Sequence, residues 1–181
     1  MIYCIIPARK GSKRLKEKNM FPLNGKPLIE YTIDEVLQSK YIPKKNIFVN
    51  SDWDELLEFS SNKGIKTLKR PDYLGGDKIW TQDVIDHTIS KLGLKPDDII
   101  VICQANSPQI TSKVLDKCIE MLIENELWQV HTVGNDMINN GAIQIIKCFV
   151  SSHQGKVNYN GVVITDWVDV HTLQDIKYLE K

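Results

Sequence analysis

Ile2-Tyr3-Cys4-Ile5-Ile6 and Ile99-Ile100-Val101-Ile102-Cys103 decide the fold. Both are short, nearly continuous apolar runs rich in β-branched residues, without the polar alternation of a strand that has one wet face. Such runs belong to strands buried on both sides. Asn46 to Asn50, Ile65 to Leu68 and Gln129 to Val133 repeat the pattern, and amphipathic stretches fill the intervals. One helix is predicted from about Pro27 to Ser39, with Leu28, Ile29, Ile33, Val36 and Leu37 on one face and proline in the first turn. A second begins near Asp52 as N-cap and stops at Gly64. A third runs from Thr81, itself read as an N-cap, to Leu92 before Gly93, and a fourth from Ser112 to Asn125. After Val133 the alternation weakens. Ala142 to Ile146 and Val162 to Ile164 predict further strands, and Thr172 to Lys181 a closing helix. The expectation is a three-layer α/β/α, Rossmann-like architecture with a mostly parallel sheet. Its ligand should lie beyond the strand C-terminal ends. No repeat or linker interrupts residues 1–181, which read as one domain.

The chain has 181 residues, 42% hydrophobic and 25% charged, a composition ordinary for one globular domain. A chain of this length buries roughly 70% of its unfolded surface, so no disulfide or structural metal is needed. Cys4, Cys103, Cys118 and Cys148 form no Cys-x-x-Cys pair and read as reduced thiols of a cytoplasmic protein. Neither a signal peptide nor a membrane span is expected. The 23 basic and 23 acidic residues cancel, so nothing draws the whole chain to nucleic acid or anionic lipid.

Against that neutrality stands one basic loop. Directly after Ile6 come Pro7-Ala8-Arg9-Lys10-Gly11-Ser12-Lys13-Arg14-Leu15-Lys16-Glu17-Lys18-Asn19, with six basic residues against one acidic between Arg9 and Lys18. A loop at a strand C-terminal end, with a glycine for close approach and a serine hydroxyl beside it, offers convergent donors to a polyphosphate. Arginine adds a planar fork and lysine a movable point charge. A solvated surface loop is the alternative. Neither a Walker A loop nor the three-glycine dinucleotide fingerprint is present. A nucleic-acid binder is disfavoured, because the loop lacks interleaved aromatics.

The run from Ile6 to Leu15, followed by Lys18-Asn19, resembles the signature of the N-acylneuraminate cytidylyltransferases, the CMP-sialic acid synthetases and their relatives. The resemblance continues through Gly25-Lys26-Pro27-Leu28-Ile29, Tyr31-Thr32-Ile33, Ser51-Asp52, Arg70-Pro71 with Asp77, Gln104-Ala105-Asn106-Ser107-Pro108, Asn140-Gly141-Ala142-Ile143 and Val168-Asp169-Val170-His171-Thr172. Ordered matches span Ile5 to Ile176. What the resemblance implies is a nucleotide-diphospho-sugar-transferase-like fold and a cytidylyltransferase. Such an enzyme joins CTP to a sugar acid, sialic-acid-like or another 2-keto acid, and releases pyrophosphate. By matching position, Arg9, Lys18 and Asp169 would be catalytic. Ala8, Arg9, Gly11, Ser12, Lys18, Asn19, Arg70, Ile79 and Thr81 would hold the nucleotide, with Arg70 on the cytosine and Thr81 near the ribose. Gln104 and Asn140 would face the sugar.

The resemblance also implies a magnesium ion, with manganese as an alternative, bound at Asp169. Where the family has a second aspartate this chain has His171. Strand alternation would turn both side chains to one side. Three readings stand: Asp169 holds magnesium with water in the partner's place, His171 admits another divalent metal, or metal binding is impaired. The first is favoured, since magnesium keeps several waters. His87, His131 and His153 lack ligand spacing. Two further departures are Ile110, where the family has an arginine, and the short stretch before Asn140. There the family carries a long insertion that forms a homodimer interface. Trp128, Tyr159 and Trp167 are candidate sugar-facing walls whose default is core packing. The competing readings are a nucleotidylyltransferase for a different sugar phosphate and a nucleotide-binding homologue without turnover.

Overall fold

A computed structural model describes residues 1–76, 78–151 and 159–180. The chain runs β1 (Ile2–Pro7), β2 (Pro22–Leu23), β3 (Lys26–Pro27), α1 (Leu28–Leu37), β4 (Ile47–Ser51), α2 (Asp54–Asn62), β5 (Lys66–Lys69), α3 (Thr81–Leu92), β6 (Ile99–Cys103), α4 (Ser112–Glu124), β7 (Gln129–Val133), β8 (Asn139–Lys147), α5 (Cys148–Ser151), β9 (Asn160–Ile164) and α6 (Leu173–Leu179). The short β2 and β3 pair only with each other, and the remaining seven strands form one sheet in the order β5-β4-β1-β6-β8-β7-β9. Strand β1 is parallel to β4 and β6, β4 to β5 and β7 to β9, whereas β8 runs antiparallel to both β6 and β7. The mostly parallel sheet expected from the apolar runs is present, with one reversed strand.

Alternate residues of each central strand face different helical layers, which is why the runs carry apolar side chains at every position. Cys4 and Ile6 of β1, with Val49, Val101 and Cys103, join Ile29, Ile33, Leu56, Leu115, Ile119 and Leu122 of α1, α2 and α4 in the larger core. Ile5, Ile100 and Ile102 face the other way, against Ile85 of α3 and Cys148 and Val150 around α5. A third, small core gathers Leu15, Leu23 and Leu28 with Val170 and Ile176, and so anchors the basic loop to α6. All four cysteines are buried free thiols. Among the described residues no helix is long and apolar enough to cross a membrane.

Several local expectations are corrected. Trp53, not Asp52, occupies the N-cap of α2, because the Asp52 carboxylate accepts the backbone N–H of Lys10 at 2.8 Å. Trp80, not Thr81, caps α3, with Asp83 accepting the Trp80 N–H at 3.1 Å; Gly93 does close that helix, in the left-handed region at φ 61°. Helix α1 starts after Pro27 and ends at Leu37, short of Ser39. Thr172 caps α6 through a reciprocal pair with Asp175. The segment from Thr165 to His171 is not a strand, so the alternation expected to align Asp169 with His171 does not exist. That segment is tied instead to the loop after β6: Val170 N–H donates to Asn106 O at 2.8 Å, Asn106 Nδ2 to Val170 O at 3.0 Å, and Val168 N–H to Gln109 Oε1 at 2.7 Å.

Candidate functional site

The chain moves outward from β1 to β4 and β5 and then returns to the other side of β1 as β6, so the strand order reverses beside β1. Crevices at such reversals, at the strand C-terminal ends, are where open α/β sheets bind ligands. A cavity of 240 Å3 lies there, and its walls follow the strand order. Arg70 enters from the end of β5; Arg9, Gly11, Ser12, Lys18 and Asn19 from the loop after β1; Gln104 and Asn106 from the end of β6; Ile79 and Thr81 from the approach to α3. The structure thus brings together most of the residues singled out for the nucleotide, and Gln104 with them.

The basic loop is held by its own backbone rather than left to solvent. Ala8 N–H donates to Asn50 O at 3.0 Å, Lys10 N–H to Asp52, and Asn19 Nδ2 to Arg9 O at 3.0 Å. Ala8 is buried beneath the cavity and does not line it. A Cβ built on Gly11 would meet no other protein atom within 4 Å, so the fold itself does not require glycine there; the bare Cα widens the cavity wall. Arg9, Ser12 and Lys18 also line an adjoining cavity of 400 Å3, completed by Lys13, Arg14 and His171. The loop therefore presents Arg9, Lys13, Arg14 and Lys18 to two adjoining recesses, while Lys10 and Lys16 line neither.

Arg70 is 4% exposed, which makes it a buried cation. Its Nε donates to Asn50 Oδ1 at 2.9 Å and its Nη2 to Asn50 O at 3.1 Å. Among the described residues no carboxylate forms an ion pair with it; burial lowers its pKa, partly opposed by the attraction of Asp52. A buried guanidinium aimed into a cavity with no ion-pair partner among the described residues is costly unless a ligand supplies acceptors. Lys18 is under similar tension: burial pulls its pKa down to about 8, partly opposed by attraction to Asp169. Burial in turn pushes Asp169 up to about 6, against the hydrogen bond from Ser107 Oγ to its Oδ1 and the nearby charge of Lys18.

Asp169 and Asn140 are not brought into either cavity wall. The Asn140 amide is engaged internally, accepting from Thr132 Oγ1 at 2.6 Å and donating to Thr165 Oγ1 at 2.7 Å. His171 is exposed and faces the second recess among Arg9, Lys13, Arg14 and Lys18. Burial of its ring and the charges of Lys18 and Arg14 lower its pKa. Among the described residues no group of three or more His, Cys, Asp or Glu could enclose a metal. Asp169 has its Oδ1 taken by Ser107 and its Oδ2 without a protein hydrogen bond among the described residues, so its donor chemistry would suit a hard cation, although it lines neither recess. A His171 partner, surrounded by cations, suits such an ion poorly.

Ile110 is 2% exposed and packs in the larger core, so the missing arginine is a core substitution and not a charge lost from the cavity wall. Trp128 packs edge-on against Phe149 and tilted against Tyr159, with ring centroids 5.1 Å apart in each case; neither it, Tyr159 nor Trp167 lines the cavity. His87 and His131 lie outside both recesses, and Asp77 and His153 outside the described residues. Sequence reasoning missed Asn50, which grips Arg70, and Asn106 as a wall residue. For Asn50 the available signal was a polar residue near the end of an otherwise apolar strand.

Comparison with known proteins agrees with this geometry. The cytidylyltransferase family model matches residues 3–157, which include the basic loop, Arg70 and Gln104 but stop short of Asp169. The N-acylneuraminate cytidylyltransferase of Streptococcus agalactiae serotype V is 38% identical over 105 residues, covering 58% of this chain and 25% of that protein. The 3-deoxy-manno-octulosonate cytidylyltransferase of Francisella philomiragia subsp. philomiragia is 30% identical over 152 residues, covering 80% of this chain and 58% of that protein. The chain thus spans only part of the length of these curated relatives. In fold it is similar to the solved structure of CMP:2-keto-3-deoxy-manno-octonic acid synthetase complexed with CTP, with a TM-score of 0.78 over 99% of this chain and 96% of that one at 14% identity. With a match covering most of its length and a cavity at the strand reversal lined by the matched residues, the chain belongs to the cytidylyltransferase family.

Proposed function

We propose that the protein transfers CMP from CTP to a 2-keto sugar acid, sialic-acid-like or another small anionic acceptor, releasing pyrophosphate. One observation carries this reading: the cavity joins the buried Arg70 at the β5 end to Arg9, Ser12, Lys18 and Asn19 at the β1 end. A base with hydrogen-bond acceptors suits the first and a polyphosphate the second. Gln104, on the β6 side, is then placed for the acceptor, and Thr81 for the ribose. In the reaction an acceptor hydroxyl oxygen bonds to the α-phosphorus. The bond to the bridging oxygen breaks, pyrophosphate leaves with that electron pair, and the hydroxyl proton is released. No covalent nucleophile is required; the protein's part is alignment and neutralisation of the charge that moves onto the leaving group. Lys18 and Arg9 supply that charge. Magnesium, when bound, would neutralise phosphate oxygens, and Asp169 is the residue fitted to hold it. Residues 1–181 act as one cytidylyltransferase-like unit in this reading, and the buried thiols suit the cytoplasm.

A second reading, a nucleotide-binding homologue without turnover, is favoured by one feature. Only residues 134–138 join β7 to β8, where the resemblance implies a long segment shared with a dimer partner. Pyrophosphate release from CTP with magnesium or manganese, measured against a panel of 2-keto sugar acids and phosphonates, separates the two. Release with at least one acceptor supports the enzyme. CTP binding with no release against any acceptor supports the second reading, and absence of CTP binding removes both.

A further inference from the structure

Behind Arg70 lies a chain of buried hydrogen bonds that reaches away from the cavity. Asn50 is 0% exposed and Thr88 of α3 is 0% exposed. The Thr88 hydroxyl donates to Val84 O, one turn back in the helix, at 2.8 Å. A hydroxyl has a single proton, so once it is given to Val84 the oxygen can act toward Asn50 only as an acceptor. It receives Asn50 Nδ2 at 3.0 Å. This fixes the Asn50 amide with its nitrogen toward α3 and its oxygen toward Arg70, where Oδ1 receives Nε at 2.9 Å. The flipped amide would set an NH2 group against the guanidinium and a carbonyl against a hydroxyl with no proton to give. The Asn50 main-chain oxygen completes the junction, receiving Arg70 Nη2 and Ala8 N–H together. The remaining N–H groups, on Nη1 and the second position of Nη2, have no acceptor among the described residues, and Arg70 lines the cavity.

We propose that Thr88 and Asn50 are positioning residues that fix the guanidinium of Arg70 for the base of the bound nucleotide, Thr88 acting through Asn50 without touching the ligand. The inference rests on the reading that Arg70 meets the base. Thr88 does not line the cavity; its hydroxyl reaches the wall through Asn50, which holds Arg70, and through the carbonyl of Val84, itself a wall residue, and only the first route orients the guanidinium. The relay also separates the two ends of the ligand: Arg70 serves the base, whereas the loop after β1 serves the phosphates.

The separation gives the test. Calorimetric titration of the full chain with CMP, CTP and inorganic tripolyphosphate is compared for wild type, T88V, T88S and Arg70→Ala, with thermal unfolding as a check on folding. Thr88→Val removes the hydroxyl at nearly constant shape, and CMP and CTP affinity should fall about tenfold while tripolyphosphate affinity changes less than about twofold. Thr88→Ser, which keeps the hydroxyl, should restore CMP binding. Thr88→Ala carries the same test should T88V not fold. Equal weakening of CMP and tripolyphosphate would mark Thr88 as merely structural and overturn the relay. Undiminished CMP binding in a folded T88V or T88A protein would do the same. If Arg70→Ala weakens CMP and neither Thr88 variant does, the relay alone is wrong. If Arg70→Ala leaves CMP binding unchanged, the base assignment fails and the relay falls with it.

Discussion

Replacing Lys18 by methionine should weaken the binding of CTP and at the same time make the unliganded protein more stable. The two effects have one cause. Burial holds the Lys18 ammonium in an environment that lowers its pKa from 10.5 to about 8, a cost on the order of 3 kcal/mol for keeping it charged at neutral pH. Part of any gain is lost again because Lys18 attracts Asp169, itself pushed up to about 6 by burial, so the net rise in stability is smaller. For a domain of this size each 1 kcal/mol moves the unfolding midpoint by roughly 2–4 °C. A base with a depressed pKa in the folded state binds fewer protons than the unfolded chain between about 8 and 10.5. Stability therefore rises with pH across that window, and the penalty is fully present below it. The advantage of K18M over wild type should be largest near pH 7 and vanish toward pH 10.5. The same substitution removes a charge-assisted contact worth roughly 1.5–3 kcal/mol, a loss of about 10- to 150-fold in CTP affinity. Wild-type binding in the absence of metal should itself weaken as pH passes upward through about 8 and the ammonium loses its proton. Thermal unfolding at several pH values and metal-free titration with CTP measure both effects. A K18M protein that unfolds several degrees earlier at pH 7, or that binds CTP as wild type does, refutes the assignment of Lys18 as a strained cation kept for a phosphate.

Three other perturbations follow from particular contacts. Gly11→Ala should leave the unfolding midpoint unchanged, since the added Cβ meets no protein atom, but lower CTP affinity severalfold by narrowing the cavity wall; unchanged affinity would mean that the ligand does not approach the loop backbone. His171→Asp should weaken metal-free tripolyphosphate binding about fivefold, because a carboxylate placed among Arg9, Lys13, Arg14 and Lys18 offsets roughly 1 kcal/mol of their attraction; stronger binding would contradict the placement of His171 in a phosphate-facing recess. Ile110→Arg should lower stability by about 3–5 kcal/mol without raising activity, as an unpaired charge forced into the core; a stable and more active variant would show that position 110 does face the acceptor.

The elements legible from the sequence were those whose pattern depends on the sheet alone. Ile99–Cys103, Gln129–Val133 and Thr81–Leu92 begin and end where their hydrophobic periodicity places them. Reading failed where a polar side chain serves a distant partner. Asp52 has the chemistry of an N-cap, yet its carboxylate is taken by the Lys10 amide, forty-two residues away. Asp169 and His171 were aligned as strand neighbours because Val168 to Thr172 looks extended. The hydrogen bonds that shape that segment come from Asn106 and Gln109, which no local pattern reveals. The direction of β8 was equally hidden, since an apolar run carries no mark of its pairing partner. Within the site, the cationic loop announced itself by charge density. Asn50 did not, because a single amide at a strand end is ambiguous until Arg70 is seen against it.

In the proposed reaction a single cavity reads a pyrimidine at the Arg70 end and a triphosphate at the Lys18 end. Calorimetric titration of the full chain with CTP, ATP and GTP under one set of conditions tests this directly. CTP should bind more tightly than either purine nucleotide. Equal or tighter binding of ATP or GTP would contradict the cytosine assignment and leave only a phosphate site at the loop after β1.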